Sequence, residues 1–439
     1  MDPSIAPILS LNAYQASDGQ TASPAVARRL AAFGRGAVLF YREPIEMVSA
    51  QGTRLRAADG REYLDLYNNV PSVGHCHPHV VRAVQDQVAK LNIHTRYLVD
   101  VVTTYAERLL GTFPAPLSNV TFSCTGSEAN DLALRIARLA TGAQGIIVTA
   151  GAYHGNTMAV TEVSPSTYKT GRPPASVRTV PAPDPRHYGP DIAGGFARAV
   201  ETEIAELAAM GIGTAALLVD TIFSSDGIFA DPPGFLAPAV AAVHAAGGLF
   251  IADEVQPGFG RTGAGLWGFA RHGVTPDIVT LGKPMGNGFP LAGLVTRPEL
   301  LGLLTEHFGY FNTFGGNPVA AAAGLAVLEV IEQEGLIANA RDVGAYLRDG
   351  VRALSAERPV IGEVRGAGLY TGVDIIDPES GGPDAARTTA LMNALRDRGV
   401  LIGAAGLGAN VLKIRPPLCL SRADVDVFIA ALWNCTDRV

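Results

Sequence analysis

The strongest constraint on what this chain can fold into is an alternation running from about residue 76 to residue 312. Short, continuously apolar runs (119–123, 145–149, 215–220, 248–252, 277–281 and 291–296) are separated by helical patterns at 79–91, 128–140, 192–210 and 234–246. A strand that is apolar at every position, rather than at every second one, is buried on both faces. That requires a mostly parallel sheet with helices packed on both sides, so the fold class is α/β.

The chain has 439 residues, 48% of them hydrophobic, enough for a large core and more than one domain. A long helix is predicted from Asn317, with Pro318 in its first turn and an end before Gly335. Beyond it, 341–354, 360–373, 388–398 and 411–415 read as a smaller α+β unit. Residues 46–67 alternate as a hairpin around the turn 58–61 and are assigned to the same unit. The expected division is 1–75 as an N-terminal segment with part of the small domain, 76–315 as the large domain, and 316–439 as the rest of the small domain. A net charge of −7 argues against nucleic acid or an anionic membrane as partner. Four dispersed cysteines without a Cys-x-x-Cys spacing argue against a disulfide framework. With an N-terminus that lacks a basic region and a long apolar core, they predict a cytoplasmic protein.

Lys283 follows one apolar run and Asp253 follows the end of another. An amine and a carboxylate at the ends of neighbouring buried strands suit one chemistry. The amine forms a Schiff base with pyridoxal 5'-phosphate, and the acid keeps the pyridine nitrogen protonated. Most lysines are surface residues, but Lys283 is framed by Gly282, Pro284, Gly286 and Gly288, which admit a ligand to the backbone. Gly126-Ser127 sits where a strand turns into a helix, whose free N–H groups suit a phosphate. A plain N-cap explains the same residues without a ligand. Tyr153, past the next strand, is placed to stack on a flat ring or simply to cover the core. Two other patterns carry less. Gly258-Phe-Gly-Arg-Thr-Gly263 matches a dinucleotide fingerprint but lies outside a first βαβ unit. His75, Cys76, His77 and His79 lack a second ligand pair, and no metal is expected there.

Together, 249–263, Gly282-Lys283-Pro284, 126–130, Tyr153-His154-Gly155 and 312–318 resemble the class III (ω-type) aminotransferases, pyridoxal-phosphate enzymes of fold type I. The resemblance runs from about Gly52 to the C-terminus. It implies a large domain with a seven-stranded, mostly parallel sheet and a small domain drawn from both chain ends. It implies Lys283 as the cofactor-bearing lysine, Asp253 at the ring nitrogen and Gln256 near the ring hydroxyl. Gly126 and Ser127 would cup the phosphate, with Tyr153 on the ring and Thr313 reaching in from a neighbouring subunit. Arg415 resembles the arginine that grips a substrate carboxylate. The implied reaction moves an amino group from an amine or amino acid donor to an α-keto acid, in a homodimer with shared sites or a tetramer built from it. Residues 68–70, 74–81 and 95–98 are most similar to a branch that also holds ethanolamine-phosphate and hydroxylysine-phosphate phospho-lyases and alanine–glyoxylate-type transaminases. A β-elimination on a phosphorylated amine is therefore the alternative. The family's gating glutamate is replaced by Ser225. Tyr41, Asn68 and Phe223 are expected near the specificity pocket.

Overall fold

The computed structural model describes residues 11–15, 22–36 and 38–437; the N-terminal decapeptide read above lies outside them. Its central sheet has seven strands, in the spatial order Asn119–Ser123, Ala292–Thr296, Ile278–Leu281, Leu249–Asp253, Thr214–Asp220, Gly145–Thr149 and Val177–Val180. Ala292–Thr296 is antiparallel to both its neighbours, and the remaining pairs are parallel. The six strands expected from apolar runs are all present, with ends shifted by at most a residue.

The seventh, Val177–Val180, escaped the sequence reading because only its first and last residues are buried. It lies at the sheet edge, where one face need not be apolar. Helices cover the sheet. Gly126–Thr141 packs on one face through Leu132, Ala133, Ile136 and Ala137, and Ile192–Ala209 through Phe196, Val200 and Leu207.

Two smaller four-stranded sheets complete the molecule. One joins Met47–Gln51, Arg54–Ala57 and Glu62–Asp65 to Val400–Leu401 from far along the chain, with the last pair parallel. The other contains Ile361–Ala367, Tyr370–Ile375, Val411–Ile414 and Gly403–Ala405, all antiparallel. The single stretch read at 360–373 is thus a hairpin. It turns at Gly368, whose φ of 53° is the left-handed conformation that favours glycine. No helix among the described residues is long and apolar enough to cross a membrane.

Candidate active site

Because Ala292–Thr296 is antiparallel to both neighbours, Asn119–Ser123 runs parallel to Ile278–Leu281. The carboxyl ends of these strands and of Leu249–Asp253, Thr214–Asp220 and Gly145–Thr149 therefore share one edge of the sheet. That edge is where open α/β sheets bind ligands. A cavity of about 280 Å³ opens there, lined by Gly126, Ser127, Tyr153, Asp253, Gln256 and Lys283 among others. The six named residues come from four separate stretches of sequence, and the topology brings them together.

Lys283 leaves the buried strand Ile278–Leu281 and opens a single turn, Lys283–Gly286. Its φ of 30° is unusual for a residue with a side chain, a strain of the kind held at functional sites. Burial pushes its amine down to about 8, repulsion from Arg415 adds to this, and Asp253 and Asp220 oppose it. The amine is thereby largely unprotonated at mildly alkaline pH, as a nucleophile must be.

Asp253 ends its strand opposite Asp220 on one side and Thr280 on the other. Its Oδ2 accepts from His154 Nδ1 at 2.7 Å and Asn130 Nδ2 at 3.0 Å, and Oδ1 accepts from the backbone N–H of Val255 at 3.1 Å. Asn130 also donates to the His154 carbonyl at 2.8 Å and accepts from Thr280 Oγ1 at 2.7 Å. These bonds lock the carboxylate's orientation from a helix, a loop and a strand at once. Asp220, half-buried next to Asp253, is pushed up chiefly by desolvation, against hydrogen bonds from Ser224 and Ile222.

The helix Gly126–Thr141 starts at the same edge. Thr125 caps it: the Glu128 N–H donates to Thr125 Oγ1 at 3.1 Å, and the Thr125 N–H to Glu128 Oε2 at 2.8 Å. The N–H groups of Gly126 and Ser127 have no partner inside the helix and are free for an anion. Space there is tight. A Cβ on Gly126 would lie 2.9 Å from Val255 Cγ2, and one on Gly155 2.5 Å from Ser127 Oγ.

Gln256 donates to Ser224 Oγ at 2.8 Å, and its Oε1 accepts from Tyr370 Oη at 2.9 Å and from Arg415 Nη1. Arg415 does not line the cavity but is joined to it through Gln256. Its guanidinium lies 4.5 Å from the Tyr67 ring centroid, and its Nε is buried without a partner. Thr313 is exposed and outside the cavity of its own chain, while its neighbour Asn312 donates to Glu128 Oε1 at 3.0 Å. Tyr41, Asn68 and Phe223 do not line the cavity. Tyr41 Oη bonds the Ile402 carbonyl, Asn68 bonds Asp65, and Phe223 packs on Phe196 and Phe235. The three histidines read as metal-like each contact a carboxylate instead: His75 with Asp65, His77 with Glu334 and His79 with Glu329.

The class-III aminotransferase model matches residues 41–435. The chain belongs to the class-III aminotransferase family. It is 41% identical over 399 residues to the Arabidopsis thaliana protein named alanine–glyoxylate aminotransferase 2 homolog 2, mitochondrial, covering 89% of this chain and 83% of that one. It is 37% identical to a Caenorhabditis elegans protein named ethanolamine-phosphate phospho-lyase homolog 1, over 92% of this chain and 91% of that one. Among solved structures it is similar to an Arthrobacter phospholyase in complex with phosphoethanolamine. The TM-score is 0.91 at 43% identity, over 94% of this chain and all of that one.

This family member is a pyridoxal-phosphate-dependent enzyme of fold type I that transfers an amino group from a donor to an α-keto acid. Its residues fit the cofactor: a free helix N-terminus in a glycine-lined cradle, a fixed carboxylate and a low-pKa amine face one cavity. One expectation is overturned. The Arabidopsis thaliana relative and the Homo sapiens alanine–glyoxylate aminotransferase 2 are named as mitochondrial, which points away from the cytoplasm. Dispersed cysteines report a reducing compartment, not which one.

Sequence reasoning assigned no role to Asn130, His154 or Asp220. The signal for Asp220 was present, since it ends a buried strand just as Asp253 does.

Proposed function

We propose that Lys283 carries pyridoxal phosphate covalently, that Asp253 pairs with its ring nitrogen, and that Gly126 and Ser127 hold its phosphate. The observation that carries this reading is the shared cavity of Lys283, Asp253 and the free helix start. When bound, the cofactor supplies an electron sink that makes a substrate α-proton removable. Asn130 and His154 hold Asp253 ready to face a positive nitrogen. Tyr153 and Gln256, which line the same cavity, would cover one side of the ring and face its hydroxyl. With the cofactor in place, the Lys283 amine would be the group that accepts the α-proton and hands it on to the cofactor side rather than returning it to the carbon it left, a task suited to a group titrating near operating pH. Arg415 holds the donor or acceptor carboxylate. The division at 75 and 315 separates a cofactor-binding body from the small domain that brings Arg415.

The working unit is a homodimer. An exposed aromatic patch supports this: Tyr97 stacks on His94, which meets Phe311 edge-on, and Arg96 lies 3.9 Å over the Phe311 ring. Leu98, Met158 and Phe314 are also largely exposed, which suits surface covered by a second copy. Thr313, beside Phe314, would then complete the partner's phosphate site.

The second reading is β-elimination from a phosphorylated amine, favoured by the similarity to the phospholyase and by Ser225 in place of the gating glutamate. One assay separates the two. The purified enzyme is given alanine with glyoxylate, and separately phosphoethanolamine alone. Transamination yields pyruvate and glycine without ammonia. Release of ammonia and inorganic phosphate from phosphoethanolamine, with no amino transfer, would establish the lyase instead.

A further inference from the structure

Asn287 ends the single turn that Lys283 opens. Its φ of 48° and ψ of 41° are left-handed, a conformation that asparagine tolerates better than most residues with a side chain. Its N–H donates to the Pro284 carbonyl at 3.2 Å and closes the turn. To this point it is an ordinary asparagine at the end of a turn, a place that glycine fills as well.

Its side chain makes two bonds that a cap does not need. Oδ1 accepts from the Val73 N–H at 2.9 Å, and Nδ2 donates to the Gly74 carbonyl at 2.9 Å, partners 214 and 213 positions away. An N–H can only donate and a carbonyl can only accept, so one orientation of the amide satisfies both. The bonds join two walls of the cavity. Val70, three residues before Val73, lines it, as do residues 288–291 directly after Asn287, and Lys283 lines it from the other end of the turn. The backbone that Asn287 grips is itself anchored. Gly52 and His75 exchange backbone bonds of 2.9 Å each, and the Leu418 N–H donates to the Ser72 carbonyl at 2.7 Å. A Cβ on Gly74 would lie 3.0 Å from Cys419 Sγ and 3.3 Å from Gly52 Cα, so this backbone is packed closely against both. Asn287 therefore ties the Lys283 turn to a fixed point. The φ of 30° at Lys283 persists only where the surroundings over-determine it. A turn that loosened would also admit water to the amine, whose burial is what keeps it easily deprotonated.

We propose that Asn287 is a positioning residue for the cofactor-bearing lysine: its amide clamps the turn Lys283–Gly286 to the backbone of Val73 and Gly74 and so fixes the Lys283 amine in the cavity. The inference rests on the reading that Lys283 carries pyridoxal phosphate, and it adds the device that holds that lysine in place.

The test separates the clamp from the cap. Asn287→Gly keeps the left-handed backbone and removes both side-chain bonds, whereas Asn287→Ala removes the bonds and strains the backbone as well. Covalent attachment of pyridoxal phosphate to the cofactor-free full chain is followed by absorbance across pH. Asn287→Gly is expected to slow attachment about tenfold near pH 8, because a displaced amine meets the ring less often. It is also expected to move the pH inflection up from the wild-type position, toward the 10.5 of an ordinary lysine. Asn287→Ala should match or exceed both changes. An Asn287→Gly enzyme with an unmoved inflection, whatever its rate, would leave Asn287 as a cap and overturn the proposal. Hydrogen exchange on the wild type needs no variant. Loading the cofactor should slow the Val73 amide together with the amides of 285–287, because one opening exposes both. Slowing confined to 285–287 would overturn the clamp. Failure of the Lys283 reading is distinguishable: the borohydride label would then fall on another lysine in wild type and variant alike.

Discussion

At Lys283 two demands compete. The amine must be unprotonated to attack, yet it lies among acids that favour its charged form. Burial decides the contest and brings it to about 8, against an ordinary 10.5. In the cofactor-free protein the folded state therefore binds fewer protons than the unfolded chain between about 8 and 10.5, so stability from this group rises with pH across that window. Covalent attachment of pyridoxal phosphate to the cofactor-free enzyme is expected to speed up with pH and level off above about 8, followed by absorbance. An inflection near 10.5 would mean that burial does not tune this amine. Asp253 carries the complementary charge. An ion pair near 4 Å at an effective dielectric of about 20 is worth ~4 kcal/mol, so Asp253→Asn is expected to lower kcat/KM on the order of 10²–10³-fold. The pair was legible in the sequence because each residue closes a continuously apolar run. Asn130 was not. An asparagine inside a helix reads as exposed until the topology shows what surrounds it.

At the scale of the element, the helix Gly126–Thr141 is both a structural part and a binding device. Its capping box fixes where the first turn begins, and so where the free N–H groups of Gly126 and Ser127 point. Thr125→Ala removes an acceptor that Glu128 N–H now uses. The expected cost is about 1 kcal/mol of stability, seen as a lower melting temperature, with weaker retention of pyridoxal phosphate. Unchanged retention would separate the cap from the binding role. The helix's apolar stripe, and its start at a Gly-Ser turn after a strand, could be read directly from residues 119–140. The edge strand Val177–Val180 could not, since Arg178 and Thr179 interrupt its apolar character.

At the scale of the whole molecule, the small sheets tie the chain's two ends together. Val400–Leu401 adds parallel to Glu62–Asp65, and the Arg415 N–H donates to the Leu66 carbonyl at 2.9 Å. Arg415 is thus placed beside Gln256, which lines the cavity, through a contact between segments hundreds of residues apart, which no local pattern reveals. The same scale governs assembly. Phe314→Asp, next to Thr313, is expected to shift sedimentation from dimer to monomer and to loosen cofactor binding together. A monomer that retains the cofactor as tightly as the dimer would refute the shared site. One amine, Lys283, is proposed to hold the cofactor within the cavity that Asp253 lines. Borohydride reduction of the loaded enzyme followed by peptide mapping tests it most directly. The pyridoxyl label is expected on the peptide containing Lys283 and on no other; a label on a different lysine, or none, would contradict the account.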